Sequence, residues 1–261
     1  MIEQLARLGY ASKALVYAIV GVLAILAATD RGGAITDVSG ALRVVRAKPL
    51  GELLLVVLAI GLCGYGAWRV LDAWRDPDRD GASAPGVITR IGNVVRGAIY
   101  GGLGLEAIRL LRGRRGARGD EAELWSARIL QVPFGDVVLG LVAVIVAVYG
   151  GWEFIRVTRG GSPDPKLDWS PIPAGARGVL QYVSRFGVGI RGVLIAAFGL
   201  SLFLAALHHN PGRAAGSRES LLHLGTLFEG RWFLVVLAAG LLAYAVDQAV
   251  HARCRRIRPV L

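Results

Sequence analysis

Residues 7–21 read RLGYASKALVYAIVG, and the same pattern returns as RIGNVVRGAIYGGLG at 90–104 and RFGVGIRGVLIAAFG at 185–199. Each copy opens with Arg-X-Gly and carries a base four residues after that glycine. These bases are Lys13, Arg96 and Arg191. Small residues follow at three- and four-residue spacing, which lets the backbones of two helices approach closely. The pattern predicts three copies of one helical unit.

A second segment of each unit also repeats. Pro49-Leu50-Gly51, Pro133-Phe134-Gly135 and Phe228-Glu229-Gly230 precede apolar runs at the same offset. A tyrosine follows each at constant spacing, as Tyr65, Tyr149 and Tyr244. Trp68 and Trp152 then match each other, whereas the third copy has Asp247. Tyrosine and tryptophan are typical of membrane–water interfaces, so we expect these side chains there.

Composition indicates an integral membrane protein. The chain has 261 residues, of which 54% are hydrophobic, and a mean hydropathy of +0.52. Its net charge is +11, but the bases mostly flank apolar runs. That placement is typical of positive-inside loops and snorkelling side chains. We therefore expect anionic lipid headgroups on the cytoplasmic side as partners, with a membrane protein as a further partner, and no nucleic acid.

Six apolar cores predict six spanning helices in one all-α membrane domain. They are Ala14–Thr29, Leu53–Trp68, Gly97–Leu105, Val137–Trp152, Gly192–Leu207 and Trp232–Val246. Glu106 interrupts the third, and we count it as a span because the repeat aligns it with clearer ones. The expected units are 1–80, 81–165 and 166–261, arranged about a pseudo-three-fold axis.

The arrangement resembles the bacterial membrane family called domain of unknown function 1206. The residues that carry the resemblance are Arg7-Leu8-Gly9-Tyr10 with Lys13, Pro49-Leu50-Gly51 and the motif at 64–69, GYGAWR. Their counterparts recur in the other two units, so the likeness covers nearly the whole chain. The family is built from tandem two-helix repeats, usually three. The resemblance implies a fold and a membrane location, and it implies no activity.

The distribution of bases predicts the orientation. A small majority lies at the two termini and in the segments that join one unit to the next, so we place both termini in the cytoplasm, with the protein in the cell membrane. The first apolar segment mimics a secretory signal peptide. Because it matches two internal helices of the repeat, we expect it to be retained.

A short amphipathic stretch lies between the two helices of each unit. Its apolar residues are Val38, Leu42 and Val45 in the first unit, Trp125, Ile129 and Leu130 in the second, and Leu221, Leu224 and Leu227 in the third. Such spacing gives a helix one apolar face. A helix lying on the outer leaflet and a loop folded over the bundle both fit this pattern.

The repeated bases are the first candidate site. Lys13, Arg96 and Arg191 lie about 9 Å deeper along their helices than the arginines that open each unit. Packed about a common axis, they would form a ring able to hold an anionic headgroup or a small anion. The alternative is that they snorkel or pair with acids of the second helices, namely Asp72, Glu153 and Asp247.

Glu106 and Asp247 are candidate intramembrane acids. An ionisable residue inside a span costs a few kcal/mol, so it is a functional candidate by default. Both break the repeat, since Glu106 aligns with Leu23 and Ser201. Arg109, one turn from Glu106, would neutralise it in a purely structural role.

The sequence carries no catalytic or cofactor-binding motif. The sequence lacks a nucleophile elbow, a phosphate-binding loop, an HExxH motif and a redox pair of cysteines. His208, His209 and His223 share one segment without a carboxylate or cysteine at ligand spacing, so we predict no metal site. Cys63 lies inside an apolar run and Cys254 in the basic C-terminal tail, so we predict no disulfide between them.

These observations favour a non-enzymatic membrane component that binds lipid or a partner. The alternative is a small transporter or channel whose polar path follows the pseudo-three-fold axis. In that case Glu106, Asp247 and the three bases would face inward.

Overall fold

Long apolar segments set the helices, and the prolines and glycines between them set the helix ends. The computed structural model describes residues 2–33, 36–75, 84–113, 121–159, 167–210, 214 and 231–256. Over these ranges it forms α1 (Ile2–Ala28), α2 (Val38–Arg46), α3 (Gly51–Arg75), α4 (Ala84–Leu111), α5 (Glu121–Leu130), α6 (Gly135–Thr158), α7 (Ala174–Leu207) and α8 (Arg231–Cys254). One isolated β-bridge joins Leu167 to Arg255. The described part of the chain is therefore all-α, as predicted.

Five of these helices are long and apolar enough to cross a membrane. They are Glu3–Ala28, Gly51–Arg75, Gly135–Thr158, Ala174–Leu207 and Trp232–Cys254. The sixth predicted span is not confirmed. Its helix, α4, has 28 residues, but Arg90, Arg96, Glu106 and Arg109 lie along it. α4 is long enough to span a membrane, and it differs from the other five helices in the charged residues that it carries.

The long helices pack in the order α4, α3, α1, α8, α7, α6. Unit one comprises α1 and α3, unit two α4 and α6, and unit three α7 and α8. The contacts α3–α4, α6–α7 and α8–α1 each join two different units, and α1–α3 and α7–α8 join helices of one unit. Between the described residues of α4 and α6 no two Cα atoms lie within 8 Å. The expected pseudo-three-fold arrangement is therefore not confirmed, because unit two is separated where the other two units are packed.

Repeat-equivalent small residues form the contacts between units. A Cβ on Gly66 of α3 would lie 2.8 Å from the carbonyl oxygen of Gly97 on α4. A Cβ on Gly192 of α7 would lie equally close, 2.8 Å, to the carbonyl oxygen of Gly150 on α6. Gly21 packs in the same way against α8. The small-residue pattern read from the sequence thus marks helix seams, where backbones meet directly.

The Pro-X-Gly motifs are sharp elbows that connect the short helices α2 and α5 to the long helices that follow them, α3 and α6. Leu50 and Phe134 adopt left-handed conformations, with φ of 62° and 60°. Gly51 and Gly135 follow, each so close to the preceding helix that a Cβ would collide with the carbonyl oxygen of Val45 or Ile129. The motif therefore needs glycine for close approach, and its central residue carries backbone strain.

The amphipathic segment of unit one is a helix that packs on the bundle. Asp37 caps α2 by accepting a hydrogen bond of 2.7 Å from the Gly40 amide. Ala41, Leu42 and Val45 are buried against α1, α3 and α4. In unit two, α5 packs on α6 and α7. The third segment, with Leu221, Leu224 and Leu227, lies outside the described residues.

Candidate functional site

The repeated base of unit one is buried among tyrosine rings. Lys13 is 4% exposed, and its Nζ lies 4.6 Å from the ring centre of Tyr65 and 4.4 Å from that of Tyr100. The rings of Tyr10 and Tyr244 are 5.5 and 5.9 Å away. The Tyr65 hydroxyl, at 3.4 Å, is the hydrogen-bond partner of Nζ within the described chain. Aromatic faces attract a cation, but they do not neutralise its charge.

Arg69 connects unit one to unit two. Its guanidinium donates to the hydroxyls of Tyr65 and Tyr10, each at 2.9 Å, and to Asn93 Oδ1 at 3.0 Å. Asn93 in turn donates to Asp72 at 2.9 Å, and Asp72 lies 3.7 Å from Arg69. These side chains are all buried. The acid of unit one is thus held by Arg69 and Asn93, which lie one turn away and on the neighbouring helix.

The bases of units two and three share one acid. Arg96 donates to the Tyr149 hydroxyl, and Tyr149 donates to Glu153 at 2.6 Å. Arg191 pairs directly with the other oxygen of Glu153 at 2.8 Å. The Arg96–Tyr149 bond spans the separated helices α4 and α6. Glu153 is therefore bound by its own unit and by unit three.

We call Lys13, Arg69, Arg96 and Arg191 the cationic cluster. Lys13 lies within electrostatic range of all three guanidinium groups. Among the described residues, two carboxylates bond to these four side chains, directly or through one further side chain, so the basic groups outnumber their acidic partners. Like charges gathered in a region of low dielectric repel each other strongly. An anion placed among them would relieve that repulsion.

Asp247 does not pair with Arg191. It is 1% exposed, and its Oδ2 accepts from Gln248 Nε2 at 2.8 Å and lies 3.4 Å from His251 Nδ1. His251 stacks on Tyr10, with ring centres 5.3 Å apart. The alternative pairing of each base with the acid of its own unit is therefore not what the contacts show for unit three.

Glu106 lies apart from the cationic cluster, towards the end of the bundle that carries α2. It is 6% exposed and accepts a hydrogen bond of 2.6 Å from the hydroxyl of Ser39 on α2. Arg109 is exposed one turn further along α4. Glu106 thus anchors the short helix α2 instead of facing the three bases.

The histidines and cysteines form no site over the described residues. His208 and His209 are exposed at the end of α7, and His209 lies 3.7 Å from Asp136. His223 lies outside the described ranges. Within them, no group of three His, Cys, Asp or Glu side chains could hold a metal ion. Cys63 and Cys254 are both free thiols.

The segment 167–173, which precedes α7, is attached to the end of α8. The Asp168 amide donates to the Cys254 carbonyl at 2.8 Å, and its carboxylate lies 3.2 Å from Arg256. Hydrogen bonds from Ser170 lower the pKa of Asp168 below its ordinary value, and Arg256 adds to the effect. At the same end, Arg7 donates to the carbonyls of Ala252 and Arg253 at 2.8 and 2.7 Å. The chain ends are thus held together.

Sequence reasoning missed the tyrosines and Arg69. Tyr65 and Tyr244 were expected at the interface, yet they are 1% and 4% exposed and surround the cations. Tyr17 and Tyr100, whose hydroxyls lie 3.2 Å apart, complete the aromatic group. The available signal was positional: Tyr65, Tyr149 and Tyr244 recur at one fixed offset, and the interior of a helix bundle tolerates a buried tyrosine hydroxyl that accepts a hydrogen bond from a cationic side chain.

Comparisons with known proteins agree with the repeat. The family described as Domain of Unknown Function (DUF1206) matches the chain three times, at residues 8–76, 91–160 and 186–255. A relative in Bacillus subtilis (strain 168), named "Uncharacterized protein YxxB", is 32% identical over 245 residues, covering 94% of this chain and 88% of the relative. No solved structure matches. The three matches confirm the resemblance read from the sequence, and the chain belongs to the DUF1206 family as three tandem copies of its domain.

Proposed function

We propose that this protein is a non-enzymatic membrane protein whose cationic cluster binds the phosphate headgroup of an anionic lipid. The observation that carries the proposal is Lys13, a buried ammonium whose hydrogen-bond partner in the described chain is a tyrosine hydroxyl. A buried charge is normally paired or bonded to several acceptors. A phosphate oxygen would supply the acceptor and the countercharge together.

The composition of the cluster favours phosphate over a carboxylate partner. Three of its four cations are arginines, whose planar guanidinium matches phosphate with two parallel hydrogen bonds. Arg69 and Arg191 already use part of their donor capacity on protein groups. Arg96 is partly buried, and the Tyr149 hydroxyl is its hydrogen-bond partner among the described residues, so it retains donors for an incoming ligand. Arg96 is therefore the first contact that we expect.

The proposed location follows from where the bases lie. The ends of α1 and α8 that carry Arg7 and Arg253 lie near the cationic cluster, and we place them in the cytoplasm on the positive-inside rule. The cytoplasmic leaflet is the one rich in anionic lipids. The proposed ligand is thus available on the side of the membrane at which we place the cluster.

No observation favours the transporter or channel alternative. Beyond the cationic cluster, the described residues of the bundle form an apolar core that includes Val16, Leu58, Leu237 and Leu241. Glu106, which was to line the polar path, is bonded to Ser39 instead. We therefore do not propose a path through the centre.

The test is native mass spectrometry of the full chain in detergent supplied with phosphatidylglycerol or phosphatidylcholine. Removing one charged hydrogen bond to phosphate costs about 1.5–3 kcal/mol, or about ten- to a hundredfold in affinity. Lys13→Met and Arg96→Gln should each weaken phosphatidylglycerol binding by that order. Arg109→Gln removes an exposed base from the same helix as Arg96 and is the matched control. Equal retention of both lipids, or Lys13→Met protein with unchanged phosphatidylglycerol affinity, would overturn the proposal.

A further inference from the structure

The separation of α4 and α6 leaves one face of unit two uncovered. Gly9, Gly92 and Gly187 are repeat-equivalent. A Cβ on Gly9 would lie 2.9 Å from the Gly61 carbonyl oxygen, and one on Gly187 would lie 2.6 Å from Tyr244 Cα. A Cβ on Gly92 would meet no described atom within 4 Å. This glycine therefore contacts the partner helix closely in units one and three, whereas in unit two it has no close contact with a described residue.

The apolar side chains beside Gly92 show the same contrast. Ile99 is 54% exposed, whereas its equivalents Val16 and Leu194 are 1% and 9% exposed. Val95 is 49% exposed, whereas Ser12 at the same position of unit one is 3% exposed. These residues occupy the face of α4 that packing within a unit would bury.

The sequence of α6 explains the separation. Gly61 and Gly240, which let the two helices of units one and three approach, correspond to Ile145 in unit two. Ile145 is 66% exposed. Val142, one turn away, is 41% exposed, whereas its equivalent Leu58 is fully buried. A branched side chain in place of glycine prevents the close approach that the small-residue seams require.

We define the unit-two cleft as the space between α4 and α6 flanked by Val95, Ile99, Val142 and Ile145, with Arg96 and Tyr149 at its inner end. We propose that this cleft holds an acyl chain of the same anionic phospholipid whose phosphate binds the cationic cluster. The inference rests on the proposed function. It adds the route by which the lipid enters and the site that its acyl chain occupies. It makes the ligand an amphiphile that enters sideways between two helices.

Charge and position select this occupant. The cleft is apolar along its length and ends at Arg96, so a ligand that fills it must place a negative group beside an apolar chain. Burial of each methylene contributes about 0.8 kcal/mol, so a chain along four aliphatic residues adds appreciably to headgroup affinity. A second copy of this chain would cover the same aliphatic residues without supplying an anion to Arg96.

The experiment uses phosphatidylglycerol and phosphatidylcholine that carry a photoactivatable diazirine in the acyl chain, with the full chain in nanodiscs. Cross-linked residues are mapped by mass spectrometry. Leu105 on α4 and Leu141 on α6 are the internal controls, since they are 53% and 61% exposed and their repeat equivalents are exposed too. We expect phosphatidylglycerol to label the cleft residues in preference to phosphatidylcholine, whereas the two lipids label the control residues equally.

Two variants extend the test. Arg96→Gln should abolish the preference for phosphatidylglycerol in the cleft while leaving the controls unchanged. Ile145→Gly restores the glycine of the other two units, so it should let α4 and α6 close and reduce cleft labelling by both lipids. Arg96→Lys, which keeps the charge, should retain the preference and shows that Arg96→Gln has not merely disturbed folding.

The outcomes separate this inference from the proposed function. If phosphatidylglycerol is preferentially retained but cleft and control residues are labelled alike, the acyl-chain site is wrong and headgroup binding stands. If neither lipid is preferred in retention or labelling, both proposals fail. A dimer in which the cleft residues cross-link to a second copy and not to lipid would also overturn the inference.

Discussion

Alanine substitution at the three repeat-equivalent glycines Gly9, Gly92 and Gly187 tests the separation of α4 and α6 directly. Alanine favours a helix over glycine by up to about 1 kcal/mol, and this gain is common to all three sites. At Gly9 and Gly187 the new methyl would collide with the partner helix, whereas at Gly92 it would enter open space. Overpacking of a tight contact costs about 1–3 kcal/mol.

The common helix term cancels when the variants are compared with one another. We therefore expect Gly9→Ala and Gly187→Ala to be less stable than Gly92→Ala by about 1–3 kcal/mol. Gly92→Ala itself should equal or slightly exceed the unsubstituted protein. The assay is reversible unfolding by sodium dodecyl sulfate in mixed micelles, followed by far-ultraviolet circular dichroism. Equal destabilisation at all three glycines would mean that unit two closes like the others, and it would remove the basis of the unit-two cleft.

Three further predictions concern single side chains. Leu50→Gly should raise the free energy of unfolding by up to about 1.6 kcal/mol in the same assay. The change relieves left-handed strain of about 1–2 kcal/mol, and it costs about 0.4–1 kcal/mol because glycine raises the entropy of the unfolded chain. A loss of stability would contradict the elbow geometry. Ser39→Ala should lower the free energy of unfolding by about 1–3 kcal/mol, because the substitution removes the hydroxyl that donates to the buried carboxyl of Glu106. An unchanged free energy of unfolding would mean that α2 does not rest on Glu106. The interactions that lower the pKa of Asp168 stabilise the attachment of residues 167–173 above the ordinary carboxyl pKa, and that contribution is lost as pH falls through the lowered pKa of the folded state. Limited proteolysis of this segment against pH should therefore show acid-induced cleavage of the unsubstituted protein. Asp168→Asn lacks the carboxylate at every pH and should show no such dependence on pH. Identical profiles for the two proteins would refute the role of the Asp168 carboxylate.

The sequence predicts the repeat unit well, because the repeat consists of residue types that recur at fixed spacing along the chain. The positions of Gly21, Gly66 and Gly192 identify small-residue seams without any knowledge of which helix lies opposite. The family matches confirm the three copies. Local spacing also identified the Pro-X-Gly motif, but neither its elbow nor the left-handed conformation of Leu50 was predicted, since leucine seldom adopts that conformation.

The candidate site was less predictable because it depends on which helices become neighbours. Lys13, Arg96 and Arg191 do lie in one region, but Glu153 is shared by two of these bases through the contact of α6 with α7. No pairing within a unit could have revealed that sharing. Nor could the sequence alone place Tyr65 in the interior, because a tyrosine suits an interface and a buried cation site equally well.

One signal was present in the sequence and was not used. The repeat aligns Gly61 and Gly240 with Ile145, and that single exchange marks the helix pair that cannot pack closely. Departures from a repeat were sought among charged residues, at Glu106 and Asp247, where chemistry was expected. The departure with the largest effect on the architecture is instead the larger side-chain volume of Ile145 in place of glycine.

The contact between α1 and α8 has a consequence for the order of assembly. These helices lie at opposite ends of the chain, and α8 begins about 200 residues after α1 ends. At synthesis rates of about 5–20 residues per second, α1 waits about 10–40 s for its largest neighbour. Until then the ammonium of Lys13 lacks the Tyr244 ring, and the face of α1 around Gly21 remains uncovered. The packing of α1 is therefore completed only after α8 has been synthesised.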